Sequence, residues 1–131
     1  MKNKSKGSGS YDNELFDEDY VIYGYTSVQA EEDGILVNIT KVHKNFKKCP
    51  FNYVTTNLMR KGYFDINEIN YSNLLDLINQ CCFIVKKQTD SLKELDSWYH
   101  GKVELPNGSM QQIYIEQNET GRFTIMLDED R

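Results

Sequence analysis

The 131-residue sequence lacks an assembled catalytic or metal-binding signature. An enzyme needs a base, a nucleophile and an oxyanion donor that converge, and the only two histidines, His43 and His100, stand far apart in unrelated patterns. Each reads as a surface or packing residue. A phosphate cradle is missing as well, since Gly7-Ser-Gly9 has neither a strand before it nor a helix after it. The three cysteines, Cys49, Cys81 and Cys82, are odd in number and without metal spacing. Adjacent Cys81 and Cys82 cannot easily bridge in a helix, and no base stands beside any of the three, so all read as reduced, buried thiols. Asp65-Ile-Asn-Glu-Ile-Asn70 has the oxygen-rich start of a calcium loop but neither its central glycine nor its terminal glutamate. A loop with helix-capping side chains is expected there. No apolar run approaches the ~20 residues of a membrane span, the longest being Cys81-Cys-Phe-Ile-Val85. The first lysines have no apolar segment behind them, so no secretory signal is read and a cytoplasmic location is expected. No enzyme, cofactor, metal or membrane role follows from these residues.

What is present is a globular composition, 39% hydrophobic with nine Tyr, six Phe and one Trp. The length is that of one domain, enough to bury roughly two thirds of the unfolded surface. The net charge of -5 is unevenly spread. Residues 1–33 hold three Lys against eight Asp and Glu, residues 34–64 hold six Lys and Arg against none, and residues 65–131 hold six against twelve. The middle block is a basic island. Residues 1–19 have little but Tyr11, Leu15 and Phe16 to bury and read as a disordered acidic tail. Residues 20–131 then form a single α+β domain.

Val21 to Tyr25 reads as a short aromatic strand, Thr26 as the N-cap of a two-turn helix and Gly34 as its C′ stop. Ile35-Leu-Val-Asn-Ile39 reads as a strand. Thr40 is placed to cap a short helix over 41–48, and Pro50 to open another near 52–60, closed by Gly62. The main helix spans Ser72 or Asn73 to Gln88. At ~100° per residue it gathers Leu74, Leu77, Ile78, Cys81, Ile84 and Val85 on one face, with Asp76, Asn79, Gln80, Lys87 and the aromatic Phe83 opposite.

From Trp98 the period becomes two, giving three half-buried strands joined by Pro106-Asn-Gly108 and Glu119-Thr-Gly121. Three-residue loops of this kind predict that Val103 pairs with Gln111, Gly101 with Ile113 and Tyr99 with Ile115. Across the second hairpin Ile115 should pair with Ile125 and Ile113 with Leu127. The fold expected is α+β, a mostly antiparallel sheet whose C-terminal three-stranded meander packs on the central helix.

Three segments carry a likeness. Val21-Ile-Tyr-Gly-Tyr-Thr-Ser-Val-Gln-Ala-Glu-Glu-Asp-Gly-Ile-Leu-Val37, Phe46-Lys-Lys-Cys-Pro-Phe-Asn-Tyr-Val-Thr55 and Phe123-Thr-Ile-Met-Leu-Asp128 resemble an uncharacterised family of small bacterial proteins carried on plasmids and phages. The family's closing proline is replaced here by Asp128. The resemblance supplies no activity and no catalytic residues; it implies a mobile-element accessory protein in a bacterial cytoplasm. Such a protein would bind a host or phage protein, a modulator of a defence system being one form.

Two surfaces are candidates. Lys41, Lys44, Lys47, Lys48, Arg60 and Lys61 interleave with Phe46, Phe51, Tyr53, Tyr63 and Phe64, a mixture that offers phosphate attraction plus base stacking to a nucleic acid, or simply a solvated basic face for an acidic partner. The outward face of the meander offers Trp98, His100, Tyr114, Arg122 and Met126, which with Phe83 form the candidate protein interface. A covering by the short helices would bury that face instead. Non-enzymatic protein binding leads, nucleic-acid binding is the alternative, and a small enzyme or nucleotide-sequestering protein the third reading. Oligomeric state is left open.

Overall fold

The computed structural model describes residues 26–66, 68–92 and 97–131, the side chains at 90–92 excepted. The tail expected over residues 1–19 and the strand expected over Val21–Tyr25 lie outside the described residues. Helix α1 (Ser27–Glu32) is fixed by the residues expected to bound it. Thr26 Oγ1 accepts the Gln29 N–H at 3.2 Å while Gln29 Oε1 accepts the Thr26 N–H at 2.7 Å, a reciprocal capping box. Gly34, at φ 79°, ends it. Residues 26–30 belong to one compact unit of the chain and residues 31–131 form the other.

The second unit carries a five-stranded sheet in the order β1-β2-β5-β4-β3, with β1 Leu36–Asn38, β2 Phe51–Thr55, β3 Trp98–Glu104, β4 Met110–Gln117 and β5 Phe123–Leu127. All neighbours are antiparallel except the central β2 and β5, which are parallel. The meander has the register its loops predict. Val103 lies opposite Gln111, Gly101 opposite Ile113 and Tyr99 opposite Ile115; Ile115 then meets Ile125 and Ile113 meets Leu127. Gly108 and Gly121 take the positive φ the loops require, 91° and 87°.

Helix α3 (Tyr71–Leu92) begins one or two residues earlier and ends four residues later than its pattern predicts. Asn70 is its N-cap, its Oδ1 accepting the Asn73 N–H at 3.0 Å, and Asp65 Oδ1 holds the Asn70 amide. Asn70 and Asp65 thus supply the helix-capping side chains expected of this segment. Leu74, Leu77, Ile78 and Cys81 are buried on the inner face of the sheet with Tyr99, Val103, Ile113, Ile115 and Ile125. Burial of each such aliphatic side chain is worth ~1.5–3 kcal/mol. Gly101 lets the helix approach closely, because a Cβ there would stand 2.9 Å from Ile84 Cδ1.

Two expected short helices are corrected. The helix expected over 41–48 is a pair of 3-10 turns, Ile39–Lys41 and Lys44–Phe46, and the cap is Asn38, not Thr40. Asn38 Oδ1 accepts the Thr40 N–H at 3.0 Å and His43 Nδ1 accepts the Asn45 N–H at 3.1 Å. Each local bond restarts the turn and interrupts an α ladder. His43 is a packing residue too, stacked on Tyr71 at 4.3 Å. The helix expected over 52–60 is largely strand β2, and only Thr56–Met59 is helical (α2), capped by Thr55. Every residue of β2 is buried, so the strand has no polar alternation to betray it. Asn52 is an extra residue in the β2–β5 register, and it is tied by its side chain to Asn118 and Thr120.

The short elements join the helix-side core, since Ile39, Phe46, Leu58 and Met59 cluster with Leu74 and Ile125. Tyr63 also lies in this core, 1% exposed, and among the described residues its Oη is the one buried side-chain oxygen or nitrogen without a partner. Burial pushes its hydroxyl up to about 12. A raised folded value means that stability is fully present below the ordinary value near 10 and is lost as pH rises from there to about 12. Tyr63→Phe should therefore leave the unfolding free energy at pH 7, measured in urea, unchanged or raise it by up to ~1 kcal/mol, and the difference from the unaltered chain should widen in favour of the variant between pH 10 and 12. A clear destabilisation at pH 7 would contradict this.

Candidate binding surfaces

Strand period places Trp98 and His100 on the outer face of β3, and the register sets Tyr114 opposite His100 and Glu116 opposite Trp98. The rings form a ledge. Trp98 stacks on His100 at 5.3 Å and lies 6.3 Å from Tyr114, and His100 is 6.0 Å from Tyr114. Arg131, following the 3-10 turn Asp128–Asp130, lays its guanidinium 4.3 Å from the Tyr114 ring centre and 5.2 Å from that of Trp98. Its Nε donates to Glu116 Oε2 at 2.8 Å, which fixes the plane of the group and holds its proton more firmly than usual. The turn is itself anchored, Asp130 accepting from Thr55 Oγ1 at 2.6 Å and from Asn57 Nδ2 at 2.9 Å.

Trp98 remains 45% exposed on this ledge. The combination of Trp, Tyr and Arg in a partly exposed cluster is the composition of protein-interface hot spots. Stacking of Arg131 on two rings adds ~0.5–1 kcal/mol per contact at exposed sites, enough to preorganise the ledge.

Two expected members of this surface are corrected. Arg122 is a structural clamp: Nη2 donates to the carbonyls of Cys49, Lys47 and Phe46 at 2.7, 3.1 and 3.3 Å, and Nε donates to Cys49 O at 3.1 Å. Met126, opposite Tyr114 in the register, is buried, as are Thr124 and Tyr53 beside it. The outer face is thus closed along β2 and β5 and open along β3 and β4. Of the short elements, Ile39, Phe46 and Leu58 go to the helix side, whereas Glu31 of α1 accepts from Tyr53 Oη on the outer face at 3.5 Å. Phe83 is 68% exposed, but it lies on the solvent side of α3, across the helix layer from the ledge.

The basic island comes apart in a similar way. Lys41, Lys44, Lys47, Lys48, Arg60 and Lys61 are exposed, yet Phe46, Phe51, Tyr53 and Tyr63 are 0–3% exposed and cannot stack on bases. Phe64 alone of the interleaved aromatics reaches solvent. Lys47 and Lys48 precede β2 while Arg60 and Lys61 follow α2 at its other end, and Lys41 is paired with Glu31 at 2.8 Å. What persists of the nucleic-acid reading is charge without a stacking platform.

Of the three thiols expected to be buried, Cys81 is, while Cys49 and Cys82 are only half-buried. Cys81 is fully buried and its thiol is pushed far up by that burial, and burial raises Cys82 as well. Cys49 Sγ donates to Phe51 O at 2.8 Å.

No family model, curated protein or solved structure matches the chain.

Arg131 and Glu116 complete the ledge and were not among the candidates read from the sequence. Glu116 has the right strand parity; Arg131 had no local signal, because its contacts depend on the turn after β5. Gln80, expected on the polar side of α3, and Gln88, near the end of the helix, reach the free edge of β3. Gln80 accepts the Glu104 N–H at 2.8 Å and donates to the Glu104 carbonyl at 3.0 Å, and Gln88 donates to His100 O at 2.7 Å. These amides occupy the N–H and C=O of Glu104 and the C=O of His100, three of the outward backbone groups of the edge strand, and interrupt strand pairing there.

Proposed function

We propose that this chain is a non-enzymatic binding protein that engages another protein through the Trp98–His100–Tyr114–Arg131 ledge. The observation that carries the reading is Trp98, exposed at 45% and stacked within a cluster preorganised by Arg131 and Glu116. A partly exposed Trp–Tyr–Arg cluster on a strand pair, its rings and guanidinium already stacked, meets the physical requirements of an interface anchor, with little side-chain entropy left to lose on binding. The likeness of three segments to a plasmid- and phage-borne family supports the setting: an accessory protein of a mobile element in a bacterial cytoplasm, whose partner is a host or phage protein. Modulation of a defence system is the role that setting favours.

Trp98→Ala combined with Tyr114→Ala tests the reading. Both side chains are at least partly exposed, so thermal unfolding should shift by no more than a few degrees. A partner recovered with the unaltered chain from bacterial cells should be retained at less than a tenth of its level. Full retention by the double variant, or turnover of a substrate by the purified protein in place of partner capture, would overturn it.

A further inference from the structure

The two edges of the sheet differ. At the β3 edge Gln80 and Gln88 engage outward backbone groups of Glu104 and His100, as described above. At the other edge stands β1, three residues long, and among the described residues no side chain is bonded to its outward backbone groups. The Thr56 N–H donates to Ile35 O at 2.8 Å, and Val37 lies opposite Val54. By the alternation of an antiparallel ladder, the N–H and C=O of Leu36 and the N–H of Asn38 then point away from β2. They face an open groove of about 930 Å³, whose far wall is the loop closed by the Phe64–Ile69 bridge.

The groove has a defined chemistry. Leu36, Val37, Val42 and Ile69 give it an apolar, half-buried floor, and Phe64 and Ile66 give it an apolar lip, exposed at 39% and 96%. Ile66 has no packing role that would keep it on the surface. The rim is acidic. Glu31 is balanced by Lys41, which holds its carboxyl below the usual range, and this leaves Asp65 and Glu68 as exposed carboxylates with no cation paired to them among the described residues. An edge with free backbone groups, an apolar floor and an acidic rim is complementary to one kind of guest: an extended segment with alternating apolar and basic side chains.

We propose that the slot between β1 and the Phe64–Ile69 loop is a strand-accepting site, in which an extended peptide of a partner protein adds beside β1. Its apolar side chains lie on Val37 and Ile69, on one face of the sheet, and its Lys or Arg residues face Asp65 and Glu68. This site is independent of the Trp98 ledge, which lies at the opposite edge of the sheet, four strand spacings or roughly 19 Å away.

The test uses the full chain and a blocked hexapeptide of alternating lysine and valine, followed by amide NMR and hydrogen exchange. Saturating peptide should slow exchange of the Leu36 and Asn38 amides at least tenfold and leave the signals of Trp98 and Tyr114 unmoved. A glutamate–valine peptide should bind at least tenfold more weakly, and Glu68→Lys with Ile66→Ala should weaken the lysine peptide at least fivefold. Both altered residues are exposed, so the fold is retained and a loss of binding is a loss of the site. Unchanged exchange at Leu36 and Asn38, or equal binding of the acidic peptide, would overturn the proposal. Protection of Leu36 that rises with protein concentration alone, with a dimer in sedimentation, would assign the slot to a second copy of this chain and overturn it equally.

Discussion

Gly62→Ala is expected to lose about 3 kcal/mol of stability, a large part of the ~5–15 kcal/mol that a domain of this kind possesses. Two independent costs meet at this residue. Its φ of 117° lies where only glycine is free of strain, and a Cβ there would stand 2.8 Å from Pro106 Cγ and 3.1 Å from Pro106 Cβ and Cδ. The proline ring belongs to the β3–β4 loop and cannot rotate away as a flexible side chain would. Gly62 also gives its carbonyl to Asn73 Nδ2 at 2.9 Å, so any shift of its backbone reaches the first turn of α3. Gly108→Ala is the control. It has a comparable φ of 91° but open space around the new methyl, and should cost about 1 kcal/mol, the strain alone. Urea unfolding of the two variants followed by circular dichroism measures the difference; equal midpoints would show that the Pro106 contact contributes nothing.

Arg122→Ala should cost about 2–4 kcal/mol, for a reason unrelated to charge pairing. The guanidinium spans the carbonyls of Phe46, Lys47 and Cys49, and a neutral methyl leaves these part-buried acceptors without it. Those carbonyls close the turn leading into β2, and the Phe123 N–H one residue past the clamp donates to Pro50 O at 2.9 Å. Loss of the clamp therefore loosens the start of the parallel β2–β5 pair. Arg122→Lys should recover less than half of the loss, because an ammonium on a flexible stem cannot reproduce the planar fork. Differential scanning calorimetry would show both, and a melting temperature for Arg122→Ala within about 1 °C of the unaltered chain would refute the role.

The meander was legible because its signals are local: alternation of period two, and glycines at loop positions that need positive φ. The core face of α3 was legible from its 3.6 period. Strand β2 was hidden for a physical reason, since a strand buried on both faces loses the alternation that marks strands, and the bounding Pro50 and Gly62 suit a helix equally well. The 3-10 turns were misread because side-chain to backbone bonds at Asn38 and His43 compete with the helix. Among the candidate surface residues, Trp98, His100 and Tyr114 follow from strand parity alone. Arg122 and Met126 share that parity and yet are occupied or buried, because what covers a sheet face is decided by tertiary contacts such as the one between Arg122 and Cys49, 73 residues apart. The ledge's remaining member, Arg131, is brought in by the turn after β5 in the same non-local way.

The ledge can be interrogated in place. With a photo-crosslinking benzoylphenylalanine at position 100, among the stacked rings, and a control at position 87 on the exposed side of α3, irradiation of bacterial cells making each variant reads out which surface meets a partner. Binding through the ledge predicts a discrete protein adduct from position 100 that is absent from position 87 and disappears when Trp98→Ala is added. The same adducts from both positions, or an adduct from position 100 that survives Trp98→Ala, would contradict it.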